Sequence, residues 1–423
     1  MPNPLQPAFG RPLGVPNLAG CPDCGLLQHL PAPLPQRATA DCLRCDAVLR
    51  RPRRDTLGPP LALALTTLAL YLAAVSLPLL RIDVGGRDLE TTLLTLPLAF
   101  DRYGFWPLTA LTAATVVLLP FLRIAALVVV LGALRLSSPP RWLHRVYRAQ
   151  LVLRQWAMVE VFLLGVFVAY TRLVTLAVVE VGPALWLLGA VMLALVAADA
   201  AQDEAAVWDT LEARGAVAAD RPLDGPGLIA CSGCGLVSRA HDTDRCPRCA
   251  TRLRRRHGGS VGRSWALLLT AAILYVPANA YPVMTVTYLG RATPHTILGG
   301  TEDLVTAGLW PLAVLVFVAS IVVPVLKLVG MGVLLVASRR GAPRRLRDLM
   351  RLYRIVDAIG RWSMIDVFML ATLVALVQAG VLATIRPGLG AVAFAGVVVL
   401  TMLAASGFDP RLIGDATARR TSP

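Results

Sequence analysis

Long stretches without a charged residue constrain this chain more than any other feature of its sequence. The run from Leu57 to Leu80 contains no acidic or basic residue, and at about 1.5 Å per helical residue it is long enough to cross a bilayer. Similar runs, some broken by a single charge, recur along the chain. They predict eight membrane-spanning helices, at about 57–80, 105–134, 156–176, 183–198, 265–283, 309–337, 362–385 and 388–407.

The composition agrees with a polytopic membrane protein. Only 16% of the 423 residues are charged, whereas soluble domains carry about 25%. The net charge of +15 could suggest nucleic-acid binding, but most arginines flank the apolar runs, which favours a role in membrane orientation. We therefore expect no nucleic-acid partner. Residues 1–20 lack the apolar core of a signal peptide, so the N-terminus is expected to stay in the cytoplasm.

The cysteines form two candidate metal sites. All 8 lie in C-x-x-C pairs, and two such turns supply the four thiolates of the closed tetrahedral shell that structural Zn²⁺ prefers. A thioredoxin-like redox motif would need a surrounding βαβ pattern, which the sequence lacks. Two structural Zn²⁺ ions are therefore predicted, the first bound by Cys21, Cys24, Cys42 and Cys45 and the second by Cys231, Cys234, Cys246 and Cys249.

The chain is a direct repeat of one module. GFWPL at 104–108 matches GLWPL at 308–312, and WAMVEVFLLG at 156–165 matches WSMIDVFMLA at 362–371. The expected fold is an all-α polytopic membrane protein with two repeated four-helix transmembrane modules, each preceded by a small β-type Cys₄ zinc ribbon. The predicted domains are the flexible N-terminus and first ribbon (1–56), the first module (57–200), a linker (201–227), the second ribbon (228–256), the second module (257–410) and a cytoplasmic tail (411–423).

Arginine-rich segments alternate with arginine-poor loops and so predict the orientation. The poor loops lie at 81–102 and 284–303. By the positive-inside rule, the rich segments, both ribbons and both termini should face the cytoplasm. The rich segments are 50–54, 135–154, 252–263 and 339–354.

Charged residues inside the spans mark a candidate site. Lys327 lies within one span and Asp366 near the start of the next, and ionisable groups in hydrocarbon usually face the bundle interior and pair. Helical spacing places Ser320 on the face of Lys327 and Ser363 on the face of Asp366, and Thr401 lies at a similar depth in the last span. These five residues are predicted to form one polar cluster, either as an ion pair that fixes packing or as a proton-handling site.

The first half carries Arg123 and Glu160 at the matching positions. A static pair and a functional pair both remain open for them. A buried lysine can deprotonate, which arginine effectively cannot, so the second half is the better candidate for proton handling.

The chain resembles the paraquat-inducible protein A family. The resemblance rests on the doubled CxxCG…CxxC modules, the YVPANAYPVM segment at 275–284, WSMIDVF, and the terminal TMLAASGFDPRLIGD at 401–415. It implies an inner-membrane protein of bacteria with a double membrane, acting in envelope lipid transport beside periplasmic MCE-domain proteins that form lipid tunnels. The sequence contains no GxxxxGK[ST] nucleotide-binding motif, so energy would come from elsewhere, such as a proton gradient.

The resulting hypothesis is a non-enzymatic inner-membrane subunit that passes lipid between the bilayer and an MCE-type tunnel protein, driven by protons through Lys327 and Asp366. Its expected partners are that periplasmic protein and membrane lipids. Two alternatives remain open. One is a membrane-bound metal or redox sensor whose ribbons signal to the spans, and the other is a passive anchor for a periplasmic partner.

Overall fold

The computed structural model describes most of the chain in twelve segments. Residues 1–17 of the predicted flexible N-terminal segment (1–20) and residues 218–227 of the predicted linker lie outside them. The described residues are 18–30, 39–51, 57–84, 87–136, 138–174, 178–217, 228–239, 245–256, 258–288, 291–340, 345–377 and 383–421.

The ribbons are built from short antiparallel hairpins. In the second ribbon, an isolated bridge between Arg245 and Arg252 takes the place of the second hairpin. The strands of the first ribbon are β1 (Leu18–Gly20), β2 (Leu27–His29), β3 (Ala40–Asp41) and β4 (Val48–Arg50), and those of the second are β8 (Leu228–Ala230) and β9 (Val237–Arg239).

The first half consists of helices and one small sheet. A π-helical turn at Ala113–Leu118 joins two of the helices into one continuous span. The helices are α1 (Gly58–Ser76), α2 (Thr95–Asp101), α3 (Trp106–Thr112), α4 (Leu119–Ala133), α5 (Leu143–Leu153), α6 (Val159–Leu173), α7 (Pro183–Ala201) and α8 (Glu204–Ala213), and the strands are β5 (Pro78–Val84), β6 (Arg87–Thr92) and β7 (Val178–Val181).

The second half repeats this order. A π-helical turn lies at Val318–Val322, and a 3₁₀ turn at Arg361–Met364 joins α13 to α14. The helices are α9 (Ser260–Ala280), α10 (Ile297–Thr306), α11 (Trp310–Phe317), α12 (Val323–Arg340), α13 (Leu346–Gly360), α14 (Ile365–Leu376), α15 (Leu389–Gly407) and α16 (Arg411–Thr421), and the strands are β10 (Met284–Tyr288), β11 (Arg291–His295) and β12 (Ala383–Pro387).

The repeated GFWPL and GLWPL motifs form the same helix–turn–helix in both halves. Gly104 and Gly308 adopt φ values of +76° and +77°, a left-handed conformation that only glycine adopts without strain. Each glycine follows a short helix and is followed by a proline in the first turn of the next one, where proline's missing N–H costs no hydrogen bond.

Within the described residues, seven helices are long and apolar enough to cross a membrane. The expected third span is represented by α6, whose 15 residues extend about 22 Å, less than the ~30 Å hydrocarbon core. The expected span at 362–385 also ends early, because α14 stops at Leu376 and the apolar residues beyond it enter β12. Each half nevertheless crosses between the two ends of the molecule four times. Strand β7 follows α6 and joins the sheet that β5 begins after α1, so α6 ends at the same end of the molecule as α1.

The all-α expectation is confirmed for the spans but missed two sheets. Each half carries a three-stranded antiparallel sheet, of order β6-β5-β7 in the first and β11-β10-β12 in the second. In the first sheet Leu80 pairs with Val181, and in the second Val286 pairs with both Thr293 and Ile385. The sheets follow the C-terminal ends of α1 and α9, and the ribbons precede their N-terminal ends. We call these two ends of the molecule the sheet side and the ribbon side.

The two halves meet along α6 and α14. The rings of Phe162 and Phe368 pack edge to face with centroids 5.7 Å apart. Every residue of α14 from Ile365 to Val374 is buried, so this helix has protein on all sides. A central core of both halves surrounds this pair and continues into the sheets.

Candidate metal centres and the buried polar cluster

Each ribbon brings its four predicted thiols together, with the sulfur atoms within 4.8 Å of one another. A tetrahedral shell with Zn–S bonds of about 2.3 Å separates the sulfurs by about 3.8 Å. The donor set and its spacing therefore fit Zn²⁺ with no position left for substrate. The shortest Sγ–Sγ distances are 3.5 Å for Cys21–Cys45, 3.6 Å for Cys24–Cys42, 3.4 Å for Cys231–Cys249 and 3.6 Å for Cys234–Cys246.

Each C-x-x-C turn, called a knuckle below, holds two thiols on a short loop. Gly25 and Gly235 follow the second cysteine of the first knuckles at φ +75° and +70°, and each donates its N–H to the carbonyl of the first cysteine at 3.0 Å. In the second knuckles Asp46 and Ala250 occupy the same left-handed region. The glycines could be found from the sequence, whereas the two non-glycine positions could not.

The thiols of each ribbon are electrostatically coupled. Hydrogen bonds from Cys24 and then Cys45 lower the pKa of Cys21 to about 2. Hydrogen bonding to Cys21 in turn raises the pKa of Cys24 to about 12. A divalent cation would compete with the protons that remain on these thiols, because cysteine binds metal as a thiolate.

The first ribbon docks its knuckles on the second half of the chain, while Arg50 at the end of β4 pairs with Asp209 of the half that follows it. The guanidinium of Arg354, on α13, donates to the carbonyl of Cys45 at 2.8 Å. Arg44, inside the second knuckle, donates to the carbonyl of Gly414 on α16 at 2.6 Å. Both contacts hold the knuckle that carries two of the metal ligands.

The second ribbon docks on the first half in the corresponding way. Arg148, on α5, donates to the carbonyl of Cys249 at 3.5 Å. Arg248, inside the second knuckle, pairs with Asp209 on α8 at 2.5 Å and lies over the ring of Trp208. The ribbons are thus exchanged between the halves, an arrangement that sequence reasoning missed.

All five residues of the predicted polar cluster are buried. Lys327 Nζ donates to the carbonyl of Gly360 at 3.3 Å, and the hydroxyls of Ser320 and Thr401 donate within their own helices. The residues lie on four segments that pack together, namely α12 with its π turn, the 3₁₀ turn, α14 and α15. The exposed fractions are 0% for Ser320, 1% for Lys327, Ser363 and Thr401, and 7% for Asp366.

A small cavity beside Lys327 lies between the two halves. Its lining includes Gln155 from the first half and Asp357 and Arg361 from the second, and Gln155 Nε2 donates to Asp357 Oδ1 at 3.3 Å. Its volume of about 10 Å³ is roughly what one water molecule needs. Sequence reasoning missed both residues: Asp357 lies one helical turn before Arg361 and could have been found, but nothing marks Gln155.

The expected pairing of Arg123 with Glu160 is not the one that the structure shows. Arg123, with a 4% exposed side chain, pairs with Asp199 at the end of α7 at 2.6 Å, and Arg154 joins the same carboxylate at 3.3 Å. Glu160 lies near Arg361 of the other half at 3.6 Å. The expected carboxylate was therefore wrong, because α7 supplies the one that α6 was expected to supply.

Comparison with known proteins gives the chain its family. A family model described as "Paraquat-inducible protein A" matches residues 57–212 and 261–417. The chain belongs to this family. It is 34% identical to the "Intermembrane transport protein PqiA" of Escherichia coli (strain K12), covering 93% of this chain and 95% of that protein. No solved structure matches it.

Two further relatives extend the similarity. The chain is 30% identical to the "Lipophilic envelope-spanning tunnel protein A" of Escherichia coli (strain K12), over 97% of this chain and 94% of that one. A "Probable intermembrane transport protein" of Haemophilus influenzae is 26% identical, over 93% and 94%. The two segments matched by the family model confirm the direct repeat, because each contains one set of spans and the helix after it, α8 or α16.

Proposed function

We propose that this protein is an inner-membrane subunit of an envelope lipid transport system that passes lipid between the bilayer and a periplasmic tunnel protein with MCE domains. The observation that carries the proposal is similarity over 93% and 97% of the chain to relatives named for intermembrane transport and for a lipophilic envelope-spanning tunnel. Both names describe transport and neither describes catalysis. Seven apolar helices place the chain in a membrane, as such a role requires.

In this proposal the ribbons and both termini face the cytoplasm, and the two three-stranded sheets face the periplasm. Exposed arginines on α5 and α13, such as Arg145, Arg347 and Arg351, lie on the ribbon side, and basic segments favour the cytoplasmic face. The sheets would then form the surface that meets the tunnel protein. A periplasm-specific reporter inserted at the β10–β11 hairpin should be active and one fused after Thr421 inactive, and activity at both positions would refute this orientation.

The composition favours Lys327 as the group that binds and releases the proton. It is the only lysine among the 41 basic residues of the chain, the other 40 being arginine. A sequence that uses arginine everywhere else and keeps one lysine inside the membrane requires a property that arginine lacks, and release of the proton is that property. We therefore propose that protons drive transport through Lys327 and Asp366, with Ser320, Ser363 and Thr401 supplying hydroxyls around them.

Water access supports the same assignment. The cavity beside Lys327 is lined by Asp357, Gly360 and Ser406, so a proton from the ribbon side would meet a carboxylate and a water-sized space before the amine. Arg123 in the first half is held instead by a carboxylate at 2.6 Å. The second half would carry the protons, and the first half a permanent charge.

The decisive experiment uses the single lysine. Replacing Lys327 by Arg keeps the charge but removes titration, so the variant should insert normally and lose transport of lipid, measured by mass spectrometry of lipid passed to the periplasmic partner. Arg123→Lys is the matched control, because it changes the corresponding residue of the first half and retains a charge for Asp199. An active Lys327→Arg protein would refute proton coupling.

A second readout does not depend on activity. Protein grown with lysine labelled at Cε and Nζ gives one side-chain resonance, which reports the protonation of Lys327 directly. We expect this resonance to change with pH, and to change at a different pH in Asp366→Asn if the two groups act together. The double change Lys327→Met with Asp366→Leu separates the remaining alternative: if that protein inserts and still transports lipid, the cluster only fixes packing and a passive anchor or channel fits better.

A further inference from the structure

Arg411 lies where the two ribbons meet. It begins α16, directly after Asp409 and Pro410, and its backbone N–H donates to Asp409 Oδ1 at 3.1 Å. Its Nε donates to the carbonyl of Pro22 in the first ribbon, and its Nη1 to the carbonyl of Ala230 in the second, each at 3.1 Å. One guanidinium, in a residue that is 7% exposed, therefore bonds to both metal-binding modules.

The ribbons also touch each other at equivalent positions. Gly20 and Ala230 each precede the first cysteine of their ribbon. A Cβ added at Gly20 would lie 2.2 Å from Cβ of Ala230, so the two chains approach as closely as their backbones allow. Strand β1 packs against β8 and β9 at this contact.

Arg411 has no counterpart at the aligned position of the first half, although Asp209 of that half also contacts both ribbons, through Arg50 of the first and Arg248 of the second. Aligning TMLAASGFDPRLIGD (401–415) with LVAADAAQDEAAVWD (195–209) places Ala205 opposite Arg411 and Asp209 opposite Asp415. The aspartates keep their role, because Asp209 pairs with Arg50 and Asp415 with Arg256. Only the second half therefore has an arginine at this aligned position, and its guanidinium donates to a backbone carbonyl of each ribbon.

We infer that the two ribbons hold metal as one coupled unit, and that Arg411 is a positioning residue that joins them. When one ribbon loses its metal and opens, Arg411 loses one of its two carbonyl acceptors while its guanidinium stays buried. A buried charged donor without an acceptor is costly, and part of this cost falls on the ribbon that still holds metal. The coupling must be reciprocal, since each site changes the other by the same factor.

The test follows metal release from the full-length protein in detergent. The zinc-loaded protein is mixed with excess chelator, the freed thiols are alkylated at timed intervals, and peptide mass spectrometry resolves the two ribbons. The change Cys231→Ser with Cys234→Ser empties the second ribbon. We expect it to accelerate metal loss from the first ribbon about tenfold, within the range usual for coupled sites.

Arg411→Gln supplies the second arm. It should speed release from both ribbons, and in its presence emptying the second ribbon should accelerate the first much less, which a double-mutant cycle measures. The matched control is Arg354→Gln, which removes a guanidinium that contacts only the first ribbon, at Cys45 and Asp46. That variant should speed the initial release from the first ribbon and leave the initial release from the second ribbon unchanged.

Three results would overturn the inference. The first ribbon may release metal at the wild-type rate when the second is empty, which ends the coupling. The acceleration may persist unchanged in Arg411→Gln, which assigns it to general unfolding and not to Arg411. Arg354→Gln may speed the initial release from both ribbons equally, which removes the special position of Arg411. If Arg411→Gln does not purify as a folded protein, Arg411→Lys, which can reach at most one carbonyl at a time, takes its place in the same cycle.

Discussion

Adding one methyl group at Gly165 should weaken the contact between the two halves. An alanine Cβ there would lie 2.8 Å from Cβ of Phe368, and 3.1 Å from both the carbonyl oxygen of Ile365 and the amide nitrogen of Met369. Two of these neighbours are backbone atoms of α14, so no side-chain rotation relieves the contact. The repeat alone predicts the opposite, because the matching residue in the second half is Ala371.

The magnitude follows from how tightly α14 is held. It is buried along its length, so it cannot move away without disturbing its other neighbours, and overpacking of this kind costs about 1–3 kcal/mol. Gly→Ala in a helix also returns up to about 1 kcal/mol of propensity. Gly189 on α7 isolates that gain, because an added Cβ there meets no atom within 4 Å.

Thermal unfolding of both variants in the same detergent measures the difference. Gly189→Ala should match or exceed the wild-type Tm, and Gly165→Ala should unfold at a lower temperature, with a free-energy gap of about 1–3 kcal/mol between the two variants. Equal unfolding temperatures for the two variants would refute the close packing of α6 against α14 at Gly165, and with it the central contact between the two halves.

Three further outcomes are expected. Metal analysis should find zinc in both ribbons, and Cys231→Ser should remove about half of it because a three-thiolate shell is open. Asp199→Ala should destabilise the protein by about 3–5 kcal/mol, since Arg123 stays buried without its carboxylate, whereas Glu160→Gln should cost less than about 1 kcal/mol at its half-exposed position; chemical denaturation compares them. Gly20→Leu should separate the ribbons and speed chelation of both metals, and unchanged release would contradict the Gly20–Ala230 contact.

The spans and ribbons were predictable because each has a local signal. Apolar length reports membrane crossing, and two C-x-x-C turns report a four-thiolate shell whatever surrounds them. The burial of Lys327 and Asp366 followed from the same reasoning, since an ionisable group on an apolar helix must face protein. Even the short α6 lay where the apolar run 156–176 placed it.

The sheets were missed because their strands share composition with their surroundings. The segment Ala383–Pro387 continues an apolar run and reads as the end of a helix, but its backbone pairs with β10 from Met284 to Tyr288. Pairing between strands about a hundred residues apart leaves no trace in local hydropathy. The polar loop at 284–303, which contains β10 and β11, likewise showed no alternating pattern strong enough to predict strands.

The exchange of the ribbons was beyond sequence reasoning for a different reason. Arg354, Arg148 and Arg44 donate to backbone carbonyls, and a carbonyl has no identity in the sequence. An arginine in a basic loop looks the same whether it binds a knuckle, a lipid headgroup or water. The positive-inside pattern therefore accounted for these arginines without indicating that several of them hold the metal-binding modules.

The two halves share one architecture but divide its chemistry. In the first half Arg123 keeps a permanent charge, fixed by Asp199 and Arg154, whereas in the second half the chain's single lysine bonds to a carbonyl beside a water-sized cavity. That cavity is walled by Gln155 and Trp156 of the first half, so the first half forms one side of the space beside Lys327. Under the proposed function, the first half would supply a fixed charge and this wall, and the second half would supply the amine that binds and releases the proton.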